Sequence, residues 1–369
     1  MEKAILILED GTVFLGKAVG KVGTTTGEIA FNTGMTGYQE IFTDPSYFRQ
    51  ILVMNSVHIG NYGVKDGEEE SDDVMISGLV TKEFSATYSR PGATGSLQDY
   101  LVQNDLSGIT GVDTRAIVRH IRDKGAMNAI ISSDGTSEEA LKEQLAQVPS
   151  MAGLELASQV SCKEAYTVEG DGAHHIALLD LGTKSNIIRS LKERGCTVTV
   201  YPSNTKAETI LESGPDGIQF SNGPGDPSAM EDVVGEVKKL VDSGVPCFGI
   251  CLGHQVIALS QGIQTRKMHH GHRGINHPVI DLQSGKGEIT SQNHGFVIDE
   301  SSLDGRDDIE ITHRHLNDGT VAGIRLKGKP VFSVQYHPEA CPGPHDSRYL
   351  FDRFVNAVKS KGESIELSA

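Results

Sequence analysis

Features typical of membrane, nucleic-acid-binding or repeat proteins are missing from these 369 residues. No run of 18 or more apolar residues occurs, so a membrane-spanning helix is not expected. Lys and Arg total 33 against 49 Asp and Glu, which gives a formal net charge of −16. Because nucleic acids and anionic membranes attract cationic surfaces, this balance argues against either as the main partner.

Cysteine is sparse and scattered. The five cysteines form no CxxC pair: Cys162, Cys196, Cys247, Cys251 and Cys341. The N-terminal stretch becomes acidic after a few apolar residues, which is typical of a strand and not of a secretory signal. We therefore expect no disulfide framework, no zinc site on these thiols, and a reducing cytoplasmic location.

The length is sufficient for two domains, and 42 glycines with an apolar fraction of 37% are typical of an α/β protein with many tight turns. We expect a smaller mixed α/β N-terminal domain at residues 1–162 and a parallel-sheet domain at residues 175–362. The polar, glycine-containing stretch 163–174 has no periodicity and is predicted to be a linker.

Two helices are predicted in the first domain among short strand-like runs. One spans Asp113 to Lys124, with Asp113 as N-cap and Gly125 after its end. The other spans Ser137 to Val148 and would begin with a capping box of Thr136 and Glu139. The strand-like runs are Ala4–Leu8, Glu28–Asn32, Gln50–Asn55 and Asn128–Ser132.

Strands and helices alternate after residue 175, which predicts a parallel sheet covered by helices on both faces. The predicted strands are Ile176–Leu181, Thr197–Tyr201, Gly217–Phe220 and Cys247–Ile250, and the strands after Gly262 are expected to be shorter. Ligands bind such sheets at the carboxyl ends of the strands. Cys251 lies at such an end, and the glycine-rich loop 221–227 lies at another.

Cys251 stands where a short apolar strand gives way to a helical pattern, between Gly249 and Gly253. This is the arrangement of a nucleophile elbow, with Cys in place of Ser. Unpaired N–H groups and the helix dipole at a helix N-terminus favour the nucleophilic thiolate. A buried core cysteine would show the same local sequence.

A base for this thiol is predicted in His337-Pro338-Glu339, which follows the strand-like run 330–335. Residues two apart in an extended segment point the same way, so Glu339 can orient the His337 imidazole while its other nitrogen faces Cys251. Main-chain N–H groups of Leu252 and of Gly223 or Gly225 would hold the oxyanion. The alternative for His337 is a structural loop histidine. The alternatives for the loop 221–227 are a simple strand-to-helix connection and a phosphate-binding turn.

The cluster His269-His270-Gly271-His272 could in principle bind zinc. No acidic or Cys partner lies close by in sequence, and the glycines indicate a loop, so no metal site is predicted. The loop 221–227 does not fit GxxxxGK[ST], and no nucleotide site is therefore expected on this chain.

Three motifs together resemble the class I glutamine amidotransferases: Gly-Ile-Cys-Leu-Gly-His-Gln at 249–255, Ser-Asn-Gly-Pro-Gly-Asp-Pro at 221–227, and His-Pro-Glu at 337–339. The resemblance covers about residues 175 to 360 and implies a flavodoxin-like domain. It also implies that Cys251 attacks the side-chain amide of glutamine and that His337 and Glu339 complete a catalytic triad.

The N-terminal half resembles the small subunit of carbamoyl phosphate synthetase, through Phe31–Glu40, Thr43–Tyr47 and His58–Asn61. The resemblance implies that the first domain docks a partner. Tyr336 departs from members that have Gly before the histidine, and we expect it to alter local packing only. The glutamine-binding positions implied by the resemblance are Ser46, Gly223, Gly225, Leu252, Gln255, Asn293, Gly295 and Phe296.

This resemblance implies a glutaminase subunit that delivers ammonia to a large synthetase subunit, in a heterodimer or a higher assembly. That partner would carry ATP and magnesium and make carbamoyl phosphate from bicarbonate, for arginine or pyrimidine biosynthesis. No cofactor is expected on this chain. Two alternatives stay open: a glutaminase subunit of another synthase, and a non-catalytic regulatory subunit.

Overall fold

The structure, a computed structural model, describes residues 2–362. They fall into two units. The first contains the chain up to Met151 together with His269–Gly274, and the second contains Ala152–Met268 and the chain from Ile275 onward. Among the described residues, no helix combines the length and the apolar character that crossing a membrane requires.

Seven strands of the first unit close a barrel in the order β1-β2-β8-β6-β4-β3-β9. The strands of this unit are β1 (Lys3–Leu8), β2 (Val13–Gly20), β3 (Thr24–Asn32), β4 (Gln50–Met54), β5 (His58–Ile59), β6 (Gly78–Val80), β7 (Glu83–Phe84), β8 (Ser107–Thr110) and β9 (Asn128–Ser132). Strands β3, β4, β6 and β8 pair in parallel, and the other barrel pairs are antiparallel. The sequence did not predict this closure.

The helices of the first unit are α1 (Tyr38–Phe42), α2 (Leu97–Gln103), α3 (Thr114–Lys124) and α4 (Glu138–Leu145). The prediction for α3 is confirmed, because the Asp113 side chain accepts from the Ala116 N–H and Gly125 follows the last turn with φ of 100°. The start of α4 was predicted one residue early. Ser137 is its N-cap, whereas the Thr136 hydroxyl donates to Asp134 instead.

Alternation along the strands divides the apolar core of the first unit. Leu6 and Leu8 of β1 share one core with Phe31. Ile7, between them, packs with Leu141 on α4. This is the period of two that a strand covered on both sides requires.

A ten-stranded sheet of order β10-β12-β11-β13-β14-β19-β18-β17-β15-β16 forms the second unit. Its strands are β10 (Tyr166–Val168), β11 (His175–Asp180), β12 (Thr197–Pro202), β13 (Gly217–Phe220), β14 (Cys247–Ile250), β15 (Thr265–Asp281), β16 (Gly287–Ile298), β17 (Ile309–His315), β18 (Val321–Leu326) and β19 (Val331–Val334). Strands β12, β11, β13, β14 and β19 are parallel. Numbered by appearance, their order is 2-1-3-4-5, the flavodoxin-like order, so the predicted fold class is confirmed.

Helices cover both faces of this sheet, as predicted. They are α5 (Ala157–Val160), α6 (Ser185–Lys192), α7 (Ala207–Glu212), α8 (Glu231–Asp242), α9 (Leu252–Ser260) and α10 (Tyr349–Lys359). Ile210, Val237 and Val256 of α7, α8 and α9 share one core. Leu191 of α6 and Phe354 of α10 belong to another.

Two sequence predictions about the second unit are wrong. The stretch 163–174 is not free of regular structure, because Tyr166–Val168 pairs antiparallel with β12. The strands after Gly262 are not uniformly shorter, since β15 has 17 residues and β16 has 12. Both segments are polar, so neither an apolar run nor a clear alternation marked them as strands.

The boundary between the units also lies earlier than the predicted domain end at residue 162. The main-chain N–H groups of Gly153 and Cys162 donate to the carboxylates of Asp226 and Asp180, at 2.8 and 2.7 Å. Residues 152–162 are therefore bonded at both ends to carboxylates of the second unit, one at the last residue of β11 and one in the loop after β13.

Candidate active site

Cys251 lies in the turn between β14 and α9, with φ of 53° and ψ of −102°. A positive φ in a residue other than Gly costs on the order of 1–3 kcal/mol and is concentrated at functional sites. The turn is also tightly packed: a Cβ on Gly253 would lie 2.3 Å from the Phe220 carbonyl oxygen, and one on Gly249 would lie 2.8 Å from that of Gly253. The predicted strand–turn–helix arrangement is confirmed.

The thiol of Cys251 is at the start of α9 and only 2% of the residue is exposed. Its Sγ lies 3.8 Å from the main-chain oxygen of Asn293, to which the thiol donates, and 3.7 Å from Nε2 of Gln335. The Cys251 N–H donates to the carbonyl of Val334, the last residue of β19, at 2.9 Å. This bond fixes the elbow beside the segment that carries His337.

His337 and Glu339 are paired as the sequence predicted. Nδ1 of His337 lies 2.7 Å from Oε1 of Glu339, and both side chains are buried. The same carboxylate oxygen lies 2.5 Å from Nζ of Lys184, whose side chain is 7% exposed. Asn186 donates to the main-chain oxygen of Glu339 and holds the segment in place.

These charges set the protonation of the pair. Burial and Lys184 each lower the pKa of His337, but Glu339 and Cys251 outweigh them and raise it to about 10. Burial raises the pKa of Glu339, but Lys184 and His337 outweigh burial and lower it to about 2. The histidine is therefore an imidazolium near neutral pH and can give a proton to a leaving group.

The glycine-rich loop 221–227 packs against the start of α9. The Gly253 N–H donates to the carbonyl of Ser221 at 2.9 Å. A Cβ on Gly223 would lie 2.8 Å from Cδ2 of Leu252 and 2.0 Å from the carbonyl oxygen of Leu181. Gly223 and Leu252 are thus neighbours, as two oxyanion donors would have to be. Gly225 adopts φ of 94° and packs against the main chain of Leu154.

Residues 293–296 of β16 form another wall of the site. Besides the contact of Asn293 with Cys251, the Phe296 carbonyl accepts from Nε2 of Gln255 at 2.8 Å. Gly295 lies between them on the same strand. The structure therefore brings β16 and α9 together around the thiol.

Ser46 belongs to the first unit, in a short 3₁₀ helix at Pro45–Tyr47. The Asp44 carboxylate accepts from its main-chain N–H at 2.9 Å. This bond caps the turn and fixes the position of Ser46 within its own unit. A role for Ser46 in binding glutamine stays a prediction.

Lys184 and Gln335 are site residues that the sequence analysis missed. Each contacts a predicted catalytic residue: Lys184 contacts Glu339, and Gln335 contacts Cys251. Their positions gave a usable signal, because Lys184 lies just beyond the carboxyl end of β11 and Gln335 directly follows β19. Polar residues at such ends face the binding edge of a parallel sheet.

The histidine cluster at 269–272 was predicted to lie in a loop, and this is wrong. These residues belong to β15, where Gly271 and Gly274 adopt φ of 72° and 135°. The His269 carbonyl accepts from the Ala126 N–H, and its ring lies 3.3 Å from the Asp123 carbonyl oxygen. Glycines in positive-φ conformations made this strand resemble a loop in the sequence.

Comparison with family models matches residues 177–357 to "Glutamine amidotransferase class-I". The elbow, the His–Glu pair and the glycine loop all fall inside this range, so the second unit is a class-I glutamine amidotransferase domain. Residues 6–131 match "Carbamoyl-phosphate synthase small chain, CPSase domain".

Relatives extend the match over nearly the whole chain. Carbamoyl phosphate synthase small chains from Chlorobaculum tepidum and from Neisseria meningitidis serogroup B are 49% and 47% identical to it. The alignments cover 96% and 97% of this chain, and 98% of each relative. The small chain from Pectobacterium atrosepticum is 44% identical over 98% of both. The chain belongs to the carbamoyl phosphate synthase small chain family.

Proposed function

We propose that this chain is the glutaminase subunit of a carbamoyl phosphate synthetase and that it hydrolyses glutamine through a thioester on Cys251. The observation that carries this proposal is the buried Cys251–His337–Glu339 arrangement at the end of a parallel sheet. The raised pKa of His337 provides the acid, and the strained elbow presents the thiol.

In the first half-reaction, the Cys251 thiolate attacks the side-chain amide carbon of glutamine, and the carbonyl oxygen becomes an oxyanion. The N–H of Leu252, with that of Gly223 or Gly225, stabilises the oxyanion. His337 then gives its proton to the amide nitrogen, the C–N bond breaks, and ammonia leaves a γ-glutamyl thioester on Cys251.

In the second half-reaction, a water molecule attacks the thioester carbonyl while His337 accepts a proton from it. The C–S bond breaks, glutamate leaves, and the Cys251–His337 pair is restored. Glu339 holds the imidazole in the tautomer that allows both transfers.

The proposed glutamine site includes Gln255, Asn293, Gly295 and Phe296 of the second unit, beside the thiol. We also propose a glutamine-binding role for Ser46, as the family resemblance implies. The Gln255 N–H₂ group is already bonded to Phe296 and Gln335, so its carbonyl oxygen remains to accept from the substrate.

The name "small chain" of the relatives implies a larger partner, and we propose that the first unit docks it in a heterodimer. Free ammonia would be lost to protonation or solvent, so direct transfer to the partner is favourable. ATP, magnesium and bicarbonate would bind that partner, where carbamoyl phosphate forms. We place the complex in the cytoplasm, in arginine or pyrimidine biosynthesis.

Replacing Cys251 by Ser tests the mechanism in the complex with the co-purified large chain. We expect glutamine-dependent carbamoyl phosphate synthesis to fall by at least about a thousandfold, because the weaker hydroxyl nucleophile is a poor substitute for the thiolate. Synthesis from added ammonia should be unchanged. Cys341→Ser removes an exposed thiol and serves as the control.

Unchanged use of glutamine in the Cys251→Ser complex would overturn the thioester mechanism. Purification with a different synthase would identify another ammonia acceptor. If the wild-type complex does not hydrolyse glutamine at all, a regulatory role would replace the catalytic one.

A further inference from the structure

A chain of buried carboxamides connects the glutamine-binding wall to the nucleophile. Nε2 of Gln255 donates to the Phe296 carbonyl oxygen at 2.8 Å and to Oε1 of Gln335 at 3.0 Å. Nε2 of Gln335 in turn lies 3.7 Å from Sγ of Cys251. Gln255 and Gln335 are 3% and 1% exposed, so water does not compete for these bonds.

These contacts fix the orientation of both side-chain amides, and with it the end of Gln335 that faces the sulfur. A main-chain carbonyl only accepts hydrogen bonds, so Gln255 must turn its N–H₂ group toward Phe296. That same N–H₂ group requires an acceptor from Gln335, whose oxygen therefore faces Gln255. The Gln335 N–H₂ group is left to face Cys251.

Gln335 is also held rigidly by its main chain. It follows β19 directly, and its N–H donates to the carbonyl of Ala322 at 2.9 Å. A donor fixed before the reaction stabilises charge without the cost of reorienting. With its main chain bonded to Ala322 and its side-chain oxygen bonded to Gln255, Gln335 is placed as a preorganised donor.

An N–H group directed at the sulfur interacts differently with the thiol and the thiolate of Cys251. The thiol form donates a hydrogen bond to the Asn293 carbonyl oxygen, 3.8 Å from Sγ. The thiolate cannot donate and needs donors, which Gln335 and the His337 imidazolium can supply. A hydrogen bond to the charged form, made between buried groups, favours that form.

We propose that Gln335 is a further catalytic residue, whose amide N–H stabilises the Cys251 thiolate, and that Gln255 is the positioning residue that orients it. This inference rests on the proposed thiol chemistry and adds a donor to it. The charged groups around the thiolate are then His337, with Glu339 and Lys184 behind it. Gln335 is neutral, and it stabilises the thiolate without changing the charge of the site.

The test measures the rate at which iodoacetamide alkylates Cys251 in the full-length chain between pH 5 and 10, followed by mass spectrometry of its peptide. In Gln335→Met we expect the midpoint of the pH profile to rise by about one pH unit, with alkylation about tenfold slower below it. Gln335→Glu keeps an oxygen that accepts from Gln255 but places a carboxylate oxygen beside the sulfur. This oxygen repels the thiolate, so the midpoint of Cys251 alkylation should rise further than in Gln335→Met.

Gln219→Met is the matched control. Gln219 is a fully buried glutamine of β13 whose amide donates to the Phe220 carbonyl oxygen at 3.1 Å, and its loss should leave the profile of Cys251 unchanged. Gln255→Met should raise the midpoint by less than Gln335→Met, because Gln335 keeps its N–H₂ group but loses the partner that orients it.

An unchanged midpoint in folded Gln335→Met would overturn the inference. If that variant does not fold, Gln335→Leu decides, since it also removes the N–H₂ group without adding a charge. The assay needs neither glutamine nor the partner. A chain that shows the shift but never hydrolyses glutamine would therefore refute the proposed function alone.

Discussion

Two buried glutamates of the second unit, Glu339 at the candidate active site and Glu288 on β16, have opposite charge behaviour. Glu339 is 0% exposed and Glu288 is 8% exposed, and burial raises the pKa of both. For Glu339, Lys184 and His337 overcome burial and lower the pKa to about 2. For Glu288, burial dominates, and the pKa rises to about 7.

The surroundings of Glu288 explain the difference. The Tyr349 hydroxyl and Arg353 favour its ionised form, but Asp281 and Asp346 oppose it. Tyr336, the neighbour of His337 in the chain, is fully buried and has its own pKa raised by burial and by Glu288. Direct contacts with Lys184 and His337 therefore keep Glu339 ionised, whereas the attraction of Arg353 does not overcome burial at Glu288.

The largest expected effect comes from Glu339→Gln. The neutral amide can no longer stabilise the imidazolium or select its tautomer, so glutaminase kcat in the complex should fall by about a thousandfold to ten-thousandfold. Carbamoyl phosphate synthesis from ammonia should be unchanged in the same preparation. Steady-state assays with each nitrogen donor measure both quantities.

Glu288→Gln makes the same chemical change at the second glutamate of this comparison and is the matched control. We expect it to leave glutaminase kcat within about twofold of wild type. A loss of activity in this variant as large as in Glu339→Gln would mean that the two glutamates do not have separate roles.

An intermediate effect is expected from Lys184→Met, which leaves the Glu339 charge with one cation instead of two. Removing one partner of a buried ion pair costs about 3–5 kcal/mol of unfolding free energy, because the remaining charge is desolvated without compensation. Urea unfolding measures this loss. The control is Lys238→Met, which breaks an exposed pair with Asp242 and should cost no more than about 1 kcal/mol.

Equal, small losses in Lys184→Met and Lys238→Met would show that Glu339 does not need a second cation. The contrast between the two glutamates would then depend on His337 alone. A large loss of stability in Lys184→Met, which still contains His337, would instead show that Lys184 is the main cause of the ionisation of Glu339.

Sequence reasoning predicted the pairing of His337 with Glu339 because its signals are local. Cys251 lies between two glycines where one periodicity replaces another, and Glu339 follows His337 by two residues. The cap of α3 at Asp113 was found for the same reason. Each feature is contained within a few residues and has a direct physical cause.

Features that depend on distant partners could not be predicted in this way. Lys184 reaches Glu339, and Gln335 reaches Cys251, only through the order of strands in the sheet. Closure of the first unit's barrel likewise depends on pairings such as β2 with β8. The polar strands β15 and β16 pair at the sheet edge without an apolar pattern, so composition alone gave no sign of them.

The smallest effect expected is the pH dependence of stability caused by Glu288. Its pKa in the folded chain, about 7, is raised above the ordinary value of 4.5, so the folded state binds the extra proton. This stabilising contribution is complete below pH 4.5 and is lost as the pH rises through 7. Glu288→Gln cannot ionise and should avoid the loss.

We therefore expect Glu288→Gln to be about 3 kcal/mol more stable than wild type at pH 9, and equally stable at pH 4, where both side chains are neutral. Urea unfolding of the two chains at both pH values measures the difference, and the low-pH pair is the internal control. A constant difference across the range would indicate a packing effect and not a titration. A difference that grows between pH 4.5 and 7 would show that a buried glutamate without direct cationic contacts holds its proton, in contrast to Glu339.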